Sequence, residues 1–209
     1  MGLICDTDSA LENVPLNNDC REALAQIQKA VVQKVFSTGT TKNTIADPTL
    51  LASWTPLLAA TDNTKVVQTP YLNAPVSEAG DARVFCGVNE TRSGIELIIG
   101  RDPSTFEAVI YDAKQNTIEA LKGYENKANI AVWLVDENGD IVCLADDLVT
   151  PNTYFPIPIQ SFFVGDKKFG NYDEPDMNKL MWQMAANWSD KFTVVRPSNF
   201  NALTDLVTP

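Results

Sequence analysis

The chain has 209 residues, a formal net charge of −11, 44% hydrophobic and 21% charged residues, and no histidine. That length carries one sizeable core, and the acidic balance works against a phosphate-reading surface or an anionic membrane. Without imidazole, Ser-His-Asp and Cys-His catalysis and every His-ligated metal site are excluded.

Residues 1–16 are acidic and turn-rich (Asp6, Asp8, Asn13, Pro15) and read as an extended N-terminal arm. Met1–Cys5 is too short for a secretory signal, and Asp6 stands where myristoylation needs Ser or Thr. No apolar run approaches a membrane span, so a soluble subunit is expected. Asn17, Asn18 and Asp19 offer helix caps, and Cys20, Leu24, Ile27, Val31 and Val35 recur at helical spacing with Arg21, Gln28 and Lys29 turned away. This predicts a helix over 19–36. Asp47-Pro48 supplies an N-cap and a first-turn proline for a short helix through Leu50, Leu51 and Trp54, stopped or kinked by Pro56. The stretch 61–80, with Pro70, Pro75 and Gly80, reads as a long interaction loop in which only Lys65–Gln68 could be a strand.

Strands are expected at 81–86, 94–100 and 105–111. Asp112 then caps a helix, with Gln115 as its capping-box partner and Ala113, Ile118, Leu121 and Tyr124 on its apolar side. The segment 128–144 is a hairpin whose first arm is apolar on both faces, which suits a strand covered on two sides. Asn138-Gly139 predicts a two-residue type I′ turn. The preceding helix should cover one face of that strand, and a second sheet, drawn from 83–111 or 191–196, the other. Pro151, Pro156 and Pro158 point to an edge strand or arm, and 167–176 to an acidic loop. Within 177–186, Leu180, Trp182 and Met184 favour a strand over the helix that Met177, Leu180, Met181 and Met184 would suit. A strand at 191–196 and a tail at 198–209 close the chain. The expected fold is α+β and β-rich: one antiparallel β-sandwich-like core domain over 17–197 with one or two flanking helices, long loops and extended terminal arms.

No constellation points to catalysis. Asp136, Asn138 and Asp140 match the first ligand positions of an EF-hand loop, but its glycine would fall on Ile141, and strands flank the segment. Asp146-Asp147 and Asp173, Glu174 and Asp176 could hold a hard cation or form a carboxylate pair, although a solvated face or a neighbour's ion-pair partner fits better. GxGxxG, GxxxxGK[ST] and GxSxG motifs are absent. Asn89 and Asn187 head glycosylation patterns that matter only in a eukaryotic secretory setting. Cys5, Cys20, Cys86 and Cys143 lack zinc-ligand spacing; Cys20 and Cys143 read as small buried hydrophobes, and a Cys5–Cys86 pair stays open. No enzyme activity, cofactor or metal is expected. The candidate interface residues are Phe162, Phe163, Phe169 and Tyr172, as aromatic anchors, and Asp136 and Glu137, as an acidic rim.

Residues 83–112 (RVFCGVNETRSGIELIIGRDPSTFEAVIYD), 130–142 (IAVWLVDENGDIV) and 187–197 (NWSDKFTVVRP) resemble segments of virion structural proteins from tailed bacteriophages of gut bacteria. Within that class the chain is most similar to a tail tube subunit. The resemblance implies a β-sandwich flanked by a helix, a loop and terminal arms linking rings, and homo-oligomers stacked into a tube whose acidic lumen lets DNA pass without sticking. It assigns no individual residue to that lumen. It implies location in the virion after synthesis in the host cytoplasm, with other virion proteins as partners. The alternatives are a head decoration or auxiliary protein and, more remotely, a carboxylate-based hydrolase or a carbohydrate-binding module with an exposed aromatic row.

Overall fold

The computed structural model describes residues 24–85 and 96–207. Among these the strands are β1 (Ile27–Lys34), β2 (Phe36–Thr38), β3 (Thr41–Lys42), β4 (Val67–Gln68), β5 (Asn73–Glu78), β6 (Ala82–Phe85) and β7 (Leu97–Arg101). They continue as β8 (Ser104–Tyr111), β9 (Ile130–Asp136), β10 (Ile141–Ala145), β11 (Tyr154–Phe155), β12 (Ile157–Val164), β13 (Met177–Met184) and β14 (Phe192–Val195). Helix α1 (Leu51–Leu58) precedes β4, α2 (Gln115–Lys122) joins β8 to β9, and a 3-10 turn over Trp188–Lys191 precedes β14. No described helix is long and apolar enough to cross a membrane.

The architecture grows outward from β9, in which all seven residues are buried. Ile130, Val132 and Leu134 enter one apolar core, while Trp133 and Val135 enter another. β1 pairs antiparallel along its full length, from Ile27 opposite Asp136 to Lys34 opposite Ile130. The other edge of β9 is shared: β10 takes Val135 and Leu134, and β12 takes Val132 to Ile130. The sheet therefore splits there and curls. It runs on through β12, β13, β8 and β5, and at the head of β5 the Leu72 N–H donates to the Gln28 carbonyl of β1 at 2.7 Å. The resulting antiparallel, sandwich-like α+β fold encloses Phe106, Phe162 and Trp182, with Trp182 stacked on Phe106 at 4.2 Å between centroids, and α2 adds Ile118 and Leu121.

The second core lies on the outer face of β1, β9 and β10. It is covered by Trp54 and Leu58 of α1 and by Ala202, Leu203 and Leu206, with no second sheet on that side among the described residues. Trp54 meets Trp133 edge-on at 5.1 Å, and its indole N–H is satisfied by the Pro48 carbonyl. The 198–209 tail thus sends Ala202, Leu203 and Leu206 into the core, while Ser198, Asn199, Asn201, Thr204, Asp205 and Val207 stay exposed. Lys29 holds it there, because this residue, 9% exposed, donates from Nζ to the Leu203 carbonyl at 2.7 Å and to Gln68 at 3.1 Å.

Other expectations change with the structure. The helix predicted over 19–36 is strand β1 across its described central part. Lys29 and Gln33, which mimic the polar side of a helix, are buried and satisfied by distant partners, so the true pattern is that of a strand covered on both faces. The 61–80 loop contains β4 and β5. Pro75 is accommodated at a register shift between Asn73 and Val76 of β5. β12 is internal despite Pro156 and Pro158, since β13 begins pairing only at Ile159 and one flank is open at Pro158. Pro56 does not stop α1, which continues to Leu58. Asp112 does not cap α2: it adopts a left-handed φ of 48° as the chain leaves β8, and the helix starts at Gln115 with no side-chain cap. The expected strand at 177–186 is β13. The 1–16 arm, the caps at 17–19 and Cys5, Cys20 and Cys86 lie outside the described residues.

Candidate interaction surfaces

The β9–β10 turn has a different build from the predicted type I′. The Gly139 N–H donates to the Asp136 carbonyl at 3.0 Å, Asn138 does not take a positive φ, and Gly139 does, at 81°. This is a three-residue turn closed by a left-handed glycine. A side chain at Gly139 would also strike the Asn201 amide, so the turn and the C-terminal segment fit only around glycine.

Asp136 is 1% exposed and accepts the Asn138 and Asp140 N–H groups at 2.9 Å each. Asp140 takes a two-pronged contact from Arg196, at 3.1 and 3.0 Å, which raises the guanidinium further above its ordinary pKa. Both carboxylates are therefore spent on the fold, and no group of three or more metal-ligating side chains forms among the described residues. Of the proposed acidic rim only Glu137 is exposed; Asp136 is withdrawn from it.

The aromatic candidates divide in the same way. In β12, Ile157 and Ile159 point inward, but Ser161 adopts a left-handed φ of 52° at a bulge between Gln160 and Phe163. The extra residue shifts the alternation by one, so Phe162 is buried while Phe163 is 47% exposed. Phe162 is a core residue, in edge contact with Tyr124 and excluded from any interface. Phe169 and Tyr172 are 82% and 105% exposed. Their loop is held firmly. Gly170 N–H donates to Asp176, Asp173 and Glu174 N–H groups to the Asn171 side chain, and Lys168 pairs with Glu174 at 3.2 Å.

The Asp146-Asp147 pair likewise braces a loop. Burial pushes the Asp146 carboxyl up, and N–H donors from Asn152, Thr153 and Asp147 more than reverse this, leaving it below the usual range.

One exposed apolar feature among the described residues is a strand pair that the sequence did not single out. β5 and β8 form a pair that continues outward as β6 and β7. Among the described residues β6 and β7 pair only with each other. At the neck, a Cβ on Gly80 would lie 1.9 Å from the Asp102 carbonyl oxygen, so only glycine lets the two chains approach. Beyond it Val84, Phe85, Leu97, Ile98 and Ile99 are between 42% and 66% exposed. The signal available in the sequence was the consecutive Leu97-Ile98-Ile99, but three apolar residues in a row look the same in a buried strand. The ion pair between Arg83 and Asp102 fastens the base of this ribbon.

A small cavity of about 190 Å³ opens beside the end of β1, where Lys34, Lys65 and Lys127 stand around Val32, Tyr124 and Ile130. A crevice of about 230 Å³ between Val35, Leu144, Phe155 and Lys191 is similarly modest. Drug-sized ligands occupy roughly 300–1,000 Å³, so these two fall short, whereas shallower depressions of about 340 Å³ beside Val76, Glu107 and Lys179 and about 450 Å³ beside Asp140, Arg196 and Asn201 fall within that range. No family model and no curated protein matches this chain.

Proposed function

We propose that this chain is a virion structural subunit of the tail tube kind, which associates with copies of itself into stacked rings that conduct DNA. The observation that carries the reading is the β6–β7 ribbon. It exposes apolar side chains on both faces of two strands, at a cost that an isolated subunit does not recover and a neighbouring copy would. Large exposed apolar surfaces rimmed by polar groups mark protein–protein contacts.

Three further features support the reading. The curled antiparallel sheet with flanking helices has the build that the resemblance implies. The net charge of −11 suits a wall past which DNA slides. The conspicuous carboxylates Asp136, Asp140 and Asp146 are engaged in holding turns, and the reading asks no chemistry of them. On this reading the protein is made in the bacterial host cytoplasm, resides in the virion, contacts other virion proteins, and is not an enzyme.

The test is negative-stain electron microscopy of the purified full chain at rising concentration. Tubes or stacked rings are expected, and Ile98→Asp with Ile99→Asp should abolish them while leaving the circular dichroism spectrum unchanged. A monodisperse monomer with hydrolase activity overturns the proposal. Binding to empty heads without self-assembly transfers the protein to the head decoration class.

A further inference from the structure

We infer that the loop carrying Phe169 and Tyr172 seats in the lysine-rimmed cavity of a second copy, forming a contact between copies separate from the ribbon. The inference rests on the assembly reading above and names a partner surface for it.

The cavity is electrostatically exceptional in so acidic a chain. Lys34, Lys65 and Lys127 line it, and among the described residues Asp62 is its only acidic lining residue. The ion pairs among the described residues involve Lys122, Lys167, Lys168, Lys179, Arg83 and Arg196, so the three cavity lysines have no carboxylate partner there. Lys34 Nζ donates only to the Ala128 carbonyl at 2.6 Å, and Lys127 lies over the Tyr124 ring at 5.0 Å. Asp62 is turned to the Thr64 hydroxyl and N–H, at 2.6 and 2.8 Å, which keep it ionised and occupied. Three ammonium groups against one carboxylate leave a net charge of +2 around an apolar floor of Val32 and Ile130. At about 190 Å³ the space suits one side chain.

The loop is the complement in charge and in shape. From Asp166 to Asp176 it carries Asp166, Asp173, Glu174 and Asp176 against Lys167 and Lys168, a net charge of −2; Asp166, Asp176 and Glu174 pair with Lys122, Lys167 and Lys168, which leaves Asp173, beside Tyr172, as the carboxylate in no ion pair among the described residues. Its tip, Tyr172-Asp173-Glu174, puts a fully exposed ring next to two carboxylates. The internal bonds already described fix the backbone, so little conformational entropy is left to lose on docking. An aromatic ring entering between ammonium groups gains both apolar burial and cation–π attraction, while Asp173 beside it meets the lysine rim. Tyr172 at 105% exposure is not in the cavity of its own chain, so the occupant comes from another copy. Each copy then gives a loop and receives one.

The test uses the full chain in sedimentation velocity over a concentration series, with negative-stain microscopy of the same samples. A cavity variant, K65E with K127E, and a loop variant, Y172A with D173K, should each raise the concentration needed for assembly roughly thirty-fold. Mixing them should bring that concentration part of the way back toward wild type, because one loop–cavity junction in each mixed pair is intact while the ribbon is unchanged in both. Combining K65E, K127E, D173K and E174K in one chain should restore assembly, a result that a folding defect cannot produce. Assembly of both variants at wild-type concentration, with the ribbon variant still defective, overturns the loop–cavity contact and leaves the tail tube reading standing. A wild-type chain that never assembles overturns both. If the variants assemble normally and inorganic phosphate raises the thermal midpoint of wild type but not of K65E with K127E, the cavity is a small-anion site and the contact is again overturned.

Discussion

The β9–β10 hairpin and the β6–β7 ribbon are built of similar residues and end in opposite environments. IAVWLVD in β9 is buried throughout, whereas ARVF and LIIGR in β6 and β7 are exposed almost throughout. Both are antiparallel pairs of apolar, partly β-branched strands. What separates them is supply: β9 has β1 along one edge, β10 and β12 along the other, and a core on each face. The ribbon has only itself among the described residues. Local pattern writes a strand in both places, and tertiary neighbours decide whether that strand is buried or left exposed.

The comparison breaks most visibly at Trp133. Its ring is fully buried against Trp54, and its indole N–H donates to Gln33 at 3.0 Å. Trp133→Ala should cost about 3–5 kcal/mol in urea or guanidinium unfolding. A loss under about 1 kcal/mol would mean that the outer core is not where β9 is anchored. Next comes Leu206, fully buried near the end of the chain. Leu206→Ala should cost about 2–4 kcal/mol by the same measurement, a result incompatible with 198–209 being a free tail.

How much of this could be read from residues alone depends on whether polar side chains kept to the surface. β13 was readable because Lys179 is exposed while Leu180, Trp182 and Met184 alternate inward. β1 was not, because Lys29 and Gln33 are buried by partners 31 to 174 residues away, Thr64 and Leu203, and only the fold reveals those partners. Lys29 is held below its ordinary pKa by burial, a sign of how far its setting departs from the exposed helix face its sequence spacing suggests. The candidate surface was half legible for a similar reason. Phe169 and Tyr172 lie where an acidic, aromatic loop puts them, whereas Phe162 and Phe163 exchange places at the Ser161 bulge, which leaves no mark in composition.

Cys143 sharpens the buried side of the comparison through pH. It lies in the outer core, and burial pushes its thiol up to about 12. The unfolded thiol ionises near pH 8.5–9. A raised folded pKa means that its contribution to stability is complete below the unfolded value and is lost as pH climbs toward the folded one, by up to about 1.4 kcal/mol per pH unit. The difference between wild type and Cys143→Ser should therefore drift in favour of the variant from about pH 9 upward, read as unfolding midpoints across a pH series. At pH 8, mass spectrometry should find Cys143 unalkylated in the native protein and alkylated once urea unfolds it.

The smallest effect on stability is expected on the ribbon, and its smallness is the informative result. Ile98 is 65% exposed, so Ile98→Ser removes little buried surface and should shift the unfolding free energy by no more than about 0.5 kcal/mol. At the same time it removes apolar area from the face that a second copy would cover, so assembly should weaken even though the monomer does not. A drop of several kcal/mol in a dilute, monomeric sample would place Ile98 in a core within the same chain, and the ribbon would then be a second version of the β9–β10 hairpin. No change in either stability or assembly would leave its apolar residues without a role. Only the split result, a monomer as stable as wild type that associates less, fits a strand pair made apolar for the sake of a neighbour.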